Sequence, residues 1–233
     1  MNKFTKIAAV AAALALAVPS FAAEEEEEGP IGWTPFAISL ASPVQLPWGI
    51  GEWDVFGIDL GLFYNDVWHM YGLDLALATT VRGDTRGLVA SGVFNYASRD
   101  IYAIRATLGA NISAKALYGM DAGGFGYHNE IYGIDIELVG TMQKKITGFD
   151  AALVFNLTET ESCGLNVVGG VNMAKTAYGC QIAGVFNYTD ELHGCQIALV
   201  NFARECPWGF QIGLVNIIMD NKIKVLPIVN GYF

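Results

Sequence analysis

Apolar and polar positions alternate along this chain inside a unit that returns about every fifteen residues. Glycines stand at 57, 72, 87, 119, 133, 148, 164, 179, 194 and 209, with Ala103 in the single gap. Successive spacings are therefore 15, 15, 16, 16, 14, 15, 16, 15, 15 and 15. With the glycine as position zero, position one holds Ile58, Leu73, Leu88, Ile104, Met120, Ile134, Phe149, Leu165, Cys180, Cys195 and Phe210. Position three carries only Leu, Ile, Val or Ala, and position five only Leu or Gly. Position two is the opposite: Asp59, Asp74, Val89, Arg105, Asp121, Asp135, Asp150, Asn166, Gln181, Gln196 and Gln211. Position four is mostly small, as in Gly61, Ala76, Ser91, Ala152, Ala183 and Gly213.

Alternation with period two is the mark of a β-strand, because successive side chains leave opposite faces. Each unit supplies a strand of about nine residues and a turn of about six, with charges and chain breakers such as Arg82-Gly83-Asp84 in the turns. The chain therefore reads as all-β. Two architectures fit the pattern. In an antiparallel meander closed into a membrane barrel, the dry face meets lipid and position two lines the lumen. In a β-solenoid, the dry face packs into a core and the small polar face meets water.

Aromatic residues favour the barrel. Phe56, Tyr71, Tyr102, Tyr118, Tyr132, Tyr178 and Trp208 precede the repeat glycine or alanine, and Tyr64, Phe94, Phe155, Phe186 and Phe202 lie at the far end. Such rows resemble the two girdles of an outer-membrane barrel. Stacking Asp121, Asp135 and Asp150 in one column would also set like charges opposite one another, which a meander avoids. Fifteen residues moreover leave little room for a full coil, so a solenoid is expected to use two repeats per coil. The sequence thus predicts a barrel of about twelve strands, with the solenoid as the alternative. The part played by residues 33–56, as an extra strand or a lumen filling, stays open.

Composition places the chain outside the cytoplasm. Lys3 and Lys6, the apolar run 7–18 and a small-residue site at 19–22 form a secretory signal over residues 1–22. Residues 23–32, with Glu24 to Glu28 in a row, read as an acidic disordered leader, and residues 33–233 as a single repeat domain. The chain has 233 residues, of which 53% are hydrophobic and 15% charged, with a net charge of −10. That composition excludes a disordered chain, and 13 basic against 23 acidic residues leave no footprint for nucleic acid.

The segment TPFAISLASPVQLP at 34–47, the units GCQIALVNFA and GFQIGLVNII from Gly194 and Gly209, and the ending LPIVNGYF resemble a family of bacterial surface-repeat-containing proteins. The resemblance loosens at GMDAGGFGYHNEIY, which departs from the repeat. It implies an exported cell-envelope protein of tandem β repeats and brings no enzyme activity, cofactor or catalytic residue.

Motifs for chemistry are sparse. His69, His128 and His193 lack metal-ligand spacing and read as solvated or girdle residues, so no metal site is expected. The glycine-rich stretch at 123–126 has no following helix to cradle phosphate. The expectation is a non-enzymatic outer-membrane or cell-surface barrel with a structural role. Its partners would be outer-membrane lipid and the barrel-assembly machinery. Asp59, Asp74, Arg105, Asp121, Asp135, Asp150, Asn166, Gln181, Gln196 and Gln211 are the lumen candidates. Two alternatives accompany it: a pore preferring small cations, its acidic residues facing the ions, and a periplasmic or surface solenoid acting as a binding module. Four cysteines separate the architectures: a meander joins Cys180 to Cys206, whereas a solenoid of one repeat per coil stacks Cys180 on Cys195.

Overall fold

A computed structural model describes residues 29–42 and 44–232; the expected signal segment and the run of glutamates at 24–28 lie outside the described residues. The strands are β1 (Gly32–Ala41), β2 (Val44–Leu46), β3 (Trp53–Val67), β4 (Met70–Val81), β5 (Thr85–Ala97) and β6 (Ile101–Thr107). They continue with β7 (Ala110–Ala152), β8 (Phe155–Val168), β9 (Val171–Ala183), β10 (Phe186–Ile197), β11 (Val200–Ile218) and β12 (Val225–Gly231). From β3 to β11 each neighbour pairs in parallel, and Gly179 meets Gly194, which in turn meets Gly209. The molecule is a β-solenoid of about 11 coils, not a closed antiparallel barrel. β1 adds a parallel strand to β3, and the short β2 folds back antiparallel against β1, which settles the role of residues 33–56. At the other end β12 pairs antiparallel with β11.

One repeat makes one coil, and the glycine explains how fifteen residues suffice. All ten repeat glycines have φ between 120° and 152°, a region L side chains rarely adopt. The chain bends there between its two walls, and bends again at positions five and six. A Cβ on Gly72, Gly87, Gly148, Gly179, Gly194 or Gly209 would collide with the carbonyl oxygen of the glycine one coil earlier.

The facing of the walls is the reverse of the solenoid expected from sequence. Position two points inward and is buried in every coil, as are Thr107, Val168, Ala183 and Ala198 at position four. Two further inward columns complete the interior. One is aliphatic and falls two residues before the glycine: Val55, Met70, Ile101, Leu117, Ile131, Ile146 and Leu192, each with no exposed surface. The other is an asparagine ladder in which Asn95 donates to Asn111 at 2.9 Å, Asn187 to Asn201 at 3.0 Å and Asn201 to Asn216 at 2.8 Å. Positions one, three and five face outward instead.

The disulfide corrects the meander as well: Cys180 is bonded to Cys195, with Cα atoms 4.6 Å apart, while Cys206 is a buried free thiol. Like-charge stacking does not forbid the parallel stack, because the acidic column is interrupted and hydrogen-bonded. Asp59 does sit opposite Asp74, but Asp74 accepts from Asn65 at 2.6 Å, and Asp121 is paired with Arg105. Burial raises these carboxyls, Asp59 to about 8 and Asp74 to about 7, so they hold protons in place of full charges.

Candidate functional site

Two features stand out: the unequal edges of the coil and one acidic cluster inside it. Each coil has an apolar bend at positions five and six and a charged stretch at positions ten to thirteen. The corner at positions five and six carries Leu62-Phe63, Leu138-Val139, Leu153-Val154, Leu199-Val200 and Leu214-Val215, all exposed or half-exposed. Leu108 is 87% exposed, Leu138 66%, Leu153 63% and Leu214 69%. The stretch at positions ten to thirteen carries Arg82, Asp100, Lys145, Glu161, Asp190 and Arg204. Ion pairs link neighbouring coils there: Lys145 to Glu161 at 2.8 Å and Arg204 to Asp190 at 3.2 Å.

Aromatic ladders run along the walls. Phe56 stacks on Tyr71 at 4.7 Å, Tyr102 on Tyr118 at 4.9 Å and Tyr118 on Tyr132 at 5.0 Å. Arg86 lies over both Tyr71 and Tyr102, at 5.6 and 5.3 Å from the ring centres. On the other wall Tyr188 stacks on Phe202 at 5.2 Å. The rows expected as girdles therefore exist, but as stacked ladders along a solenoid.

All ten lumen candidates lie in the closed interior of the coil stack. Gln211 donates to Gln196 at 2.8 Å and Gln196 to Gln181 at 2.9 Å, one continuous amide ladder. Gln143 donates to Asp150 at 2.6 Å, and burial lifts the Asp150 carboxyl to about 7. Arg105 is fully buried, pairs with Asp121 and donates to Ser113 Oγ at 2.8 Å.

Around Arg105 the structure gathers His128 and Glu137, neither of them among the candidates read from the sequence. His128, read as solvated or as a girdle residue, is 1% exposed and points inward in the column of Ser113 and Gln143. Its Nδ1 lies 3.0 Å from Ser113 Oγ, and its Nε2 lies 3.5 Å from Asp121 and 3.9 Å from Asp135. Glu137 occupies position four, where the other coils carry small residues. Single ligand atoms of Asp121, His128, Asp135 and Glu137 all lie within 4.8 Å of one another, and all four residues are buried.

Burial, followed by the charges of Asp150 and Asp121, holds the Asp135 carboxyl well above the usual carboxylate range. Burial and Asp121 push Glu137 up to about 8, while burial and then Arg105 hold His128 well below the usual imidazole value. The signal for Glu137 was legible, as the one carboxylate in a column of small residues. His128 had none, because the one-residue slips of the spacing, 16 then 14, hide its column.

No protein-family model, curated protein or solved structure matches the chain.

Proposed function

We propose that this chain is an exported β-solenoid that serves as a binding module at the cell envelope, laying its leucine–valine edge into one leaflet of a lipid membrane. The observation that carries this reading is the amphipathic coil: an apolar bend at positions five and six, a charged stretch at positions ten to thirteen, and aromatic ladders along the walls. A soluble monomer rarely exposes a contiguous apolar patch larger than a few hundred Å². Here the patch repeats in nearly every coil, and coils stack about 4.8 Å apart, so it continues along the molecule.

The dimensions support a leaflet. Positions one to five span about 13 Å at roughly 3.3 Å per residue, close to half of a ~30 Å hydrocarbon core. Tyrosine and tryptophan rings then fall at the depth where such rings settle in membranes. The family resemblance to surface-repeat proteins points to the same compartment. The cation pore loses its basis, since the acidic column lies inside a packed coil and not in a barrel lumen. The reading assigns the chain no catalysis.

Flotation with vesicles tests it. The mature protein is expected to float with zwitterionic phosphatidylcholine vesicles, and less well with anionic ones, because the full chain's net charge of −10, more negative still without Lys3 and Lys6, opposes them. The triple variant Leu138→Gln, Leu153→Gln, Leu199→Gln alters only half-exposed or exposed corner residues and is expected to weaken binding at least about tenfold, as lost burial of three leucines requires. A wild-type protein that stays monomeric in buffer and never floats rejects the reading.

A further inference from the structure

We propose that Asp121, His128, Asp135 and Glu137 form a buried binding site for one divalent transition-metal cation, with zinc or manganese as the fitting class. The cluster alone would be a set of buried acids, but the groups around it are left in a state that a cation resolves. Asp135 is fully buried, and neither of its carboxyl oxygens has a hydrogen-bond partner. Nε2 of His128, Oε2 of Glu137 and Oδ1 of Asp121 are likewise buried without one. Each such atom costs free energy unless something satisfies it. Nε2 of His128 stands 3.9 Å from the unpartnered Oδ2 of Asp135 and 3.5 Å from Oδ2 of Asp121, a gap that a shared proton or a cation can fill.

The histidine favours the cation. Ser113 Oγ sits 3.0 Å from Nδ1 and accepts from Arg105; in the tautomer whose Nδ1–H also donates to it, Nε2 presents a lone pair to Asp121 and Asp135. Lone pairs facing carboxylate oxygens repel, whereas both bind a metal. A hydrogen bond that fixes the tautomer from the far nitrogen is the usual support of a ligating histidine. The distances suit this as well. Ligand atoms of a tetrahedral site with bonds of ~2.1 Å lie roughly 3.4 Å apart, and Nε2 stands 3.5 Å from Asp121 and 3.9 Å from Asp135.

Charge gives a second reason. Once a cation displaces their protons, three carboxylates less the one Arg105 guanidinium carry two formal negative charges, which a divalent cation cancels. One imidazole nitrogen with carboxylate oxygens is the donor set of zinc, manganese or iron(II), not of calcium or magnesium.

The backbone makes room. A Cβ on Gly123 would stand 2.8 Å from Glu137 Oε2, and a Cβ on Gly126 would stand 2.7 Å from His128 Nε2. Gly123 and Gly126 belong to the segment where the repeat breaks down. The departure GMDAGGFGYHNEIY is thus accounted for: the histidine enters from the inward column beside Ser113, and the glycines clear the space its ring and Glu137 fill.

Because all four ligands are buried, the metal enters as the chain folds. The test therefore compares full-length mature protein purified from cells with the same protein refolded from urea after chelation, with either zinc chloride or manganese chloride. One bound equivalent per chain is expected, measured by elemental analysis. His128→Gln and Asp135→Asn are expected to lower affinity by about 10–100-fold. Asp59→Asn, in the same column but remote from the cluster, should leave it unchanged. X-ray absorption on the wild-type metal-loaded protein keeps the proposal testable if the variants misfold: a single imidazole in the ligand shell is expected. Folded wild-type protein that takes up neither metal overturns the site. So does stoichiometric metal without imidazole scattering, or binding undiminished in both variants, which would place the ion elsewhere on this acidic chain.

Discussion

At the scale of single residues, the repeat glycine has two duties at once. Its φ lies in the left-handed half of the map, and the face where a Cβ would sit is covered by the carbonyl of the coil beneath. Gly194→Ala is therefore expected to lose about 1–3 kcal/mol from backbone strain alone, with more from the collision, measured as a shift of the urea midpoint. Ala103 supplies the internal control. It holds the same position without a positive φ, so Ala103→Gly should cost no more than about 1 kcal/mol, the ordinary entropic penalty of glycine. The inward aspartates make a different prediction. Asp59 faces Asp74 from the next coil, Asp74 is followed by Val89, and among the described residues no basic group is paired with either. Burial, then Asp74, lifts Asp59 from 3.8 to about 8. Between those values the folded chain binds more protons than the unfolded one, so stability is greatest below about pH 4 and falls as pH rises through 8. Asp59→Asn mimics the protonated acid. It should match the wild type below about pH 4 and exceed it by a growing margin, roughly 1 kcal/mol or more, as pH rises towards 8 in urea titrations.

At the scale of the element, strand character was plainly written in the sequence, because alternation depends only on period two. The glycine column and the coil length were legible too. The direction of pairing was not. Alternation looks the same in a parallel stack and an antiparallel meander, and Asp121, Asp135 and Asp150 forbid a parallel stack only if all three carry full charge. Arg105, Gln143 and burial remove that condition. Nor does alternation say which face turns inward. The decisive clue was the small aliphatic column two residues before the glycine, from Val55 to Leu192, which reads as unremarkable until the coil is known. The matching places of Cys180 and Cys195 were the plainest pointer to stacking. Their bond, with a sequence separation of 15, closes a loop for which chain entropy predicts about 3 kcal/mol. Non-reducing peptide mapping should recover the Cys180–Cys195 pair, and reduction should lower the urea midpoint by a corresponding amount. A Cys180–Cys206 pair in that map would instead restore the meander.

At the scale of the whole molecule, a stack of parallel coils has a direction but no natural end. Each coil offers the next a full row of backbone donors and acceptors, and any further chain with extended backbone could take them. This chain caps both rows with strands of the opposite sense, the β11 row over most of its length and the β1 row at its end from Ile38 to Ala41. β2 covers the outer side of β1 at Ile38 and Ser39, and β12 covers β11 from Phe210 to Ile217. A reversed strand presents its hydrogen-bonding groups out of step with a repeat glycine, so a second solenoid arriving in register finds no seat. Pro227 within β12 removes one more donor from that outer edge. The number of coils is thus a property of one chain and not of its concentration. A molecule whose interior amide ladders would otherwise template their own extension is kept from growing, copy upon copy, into a fibre.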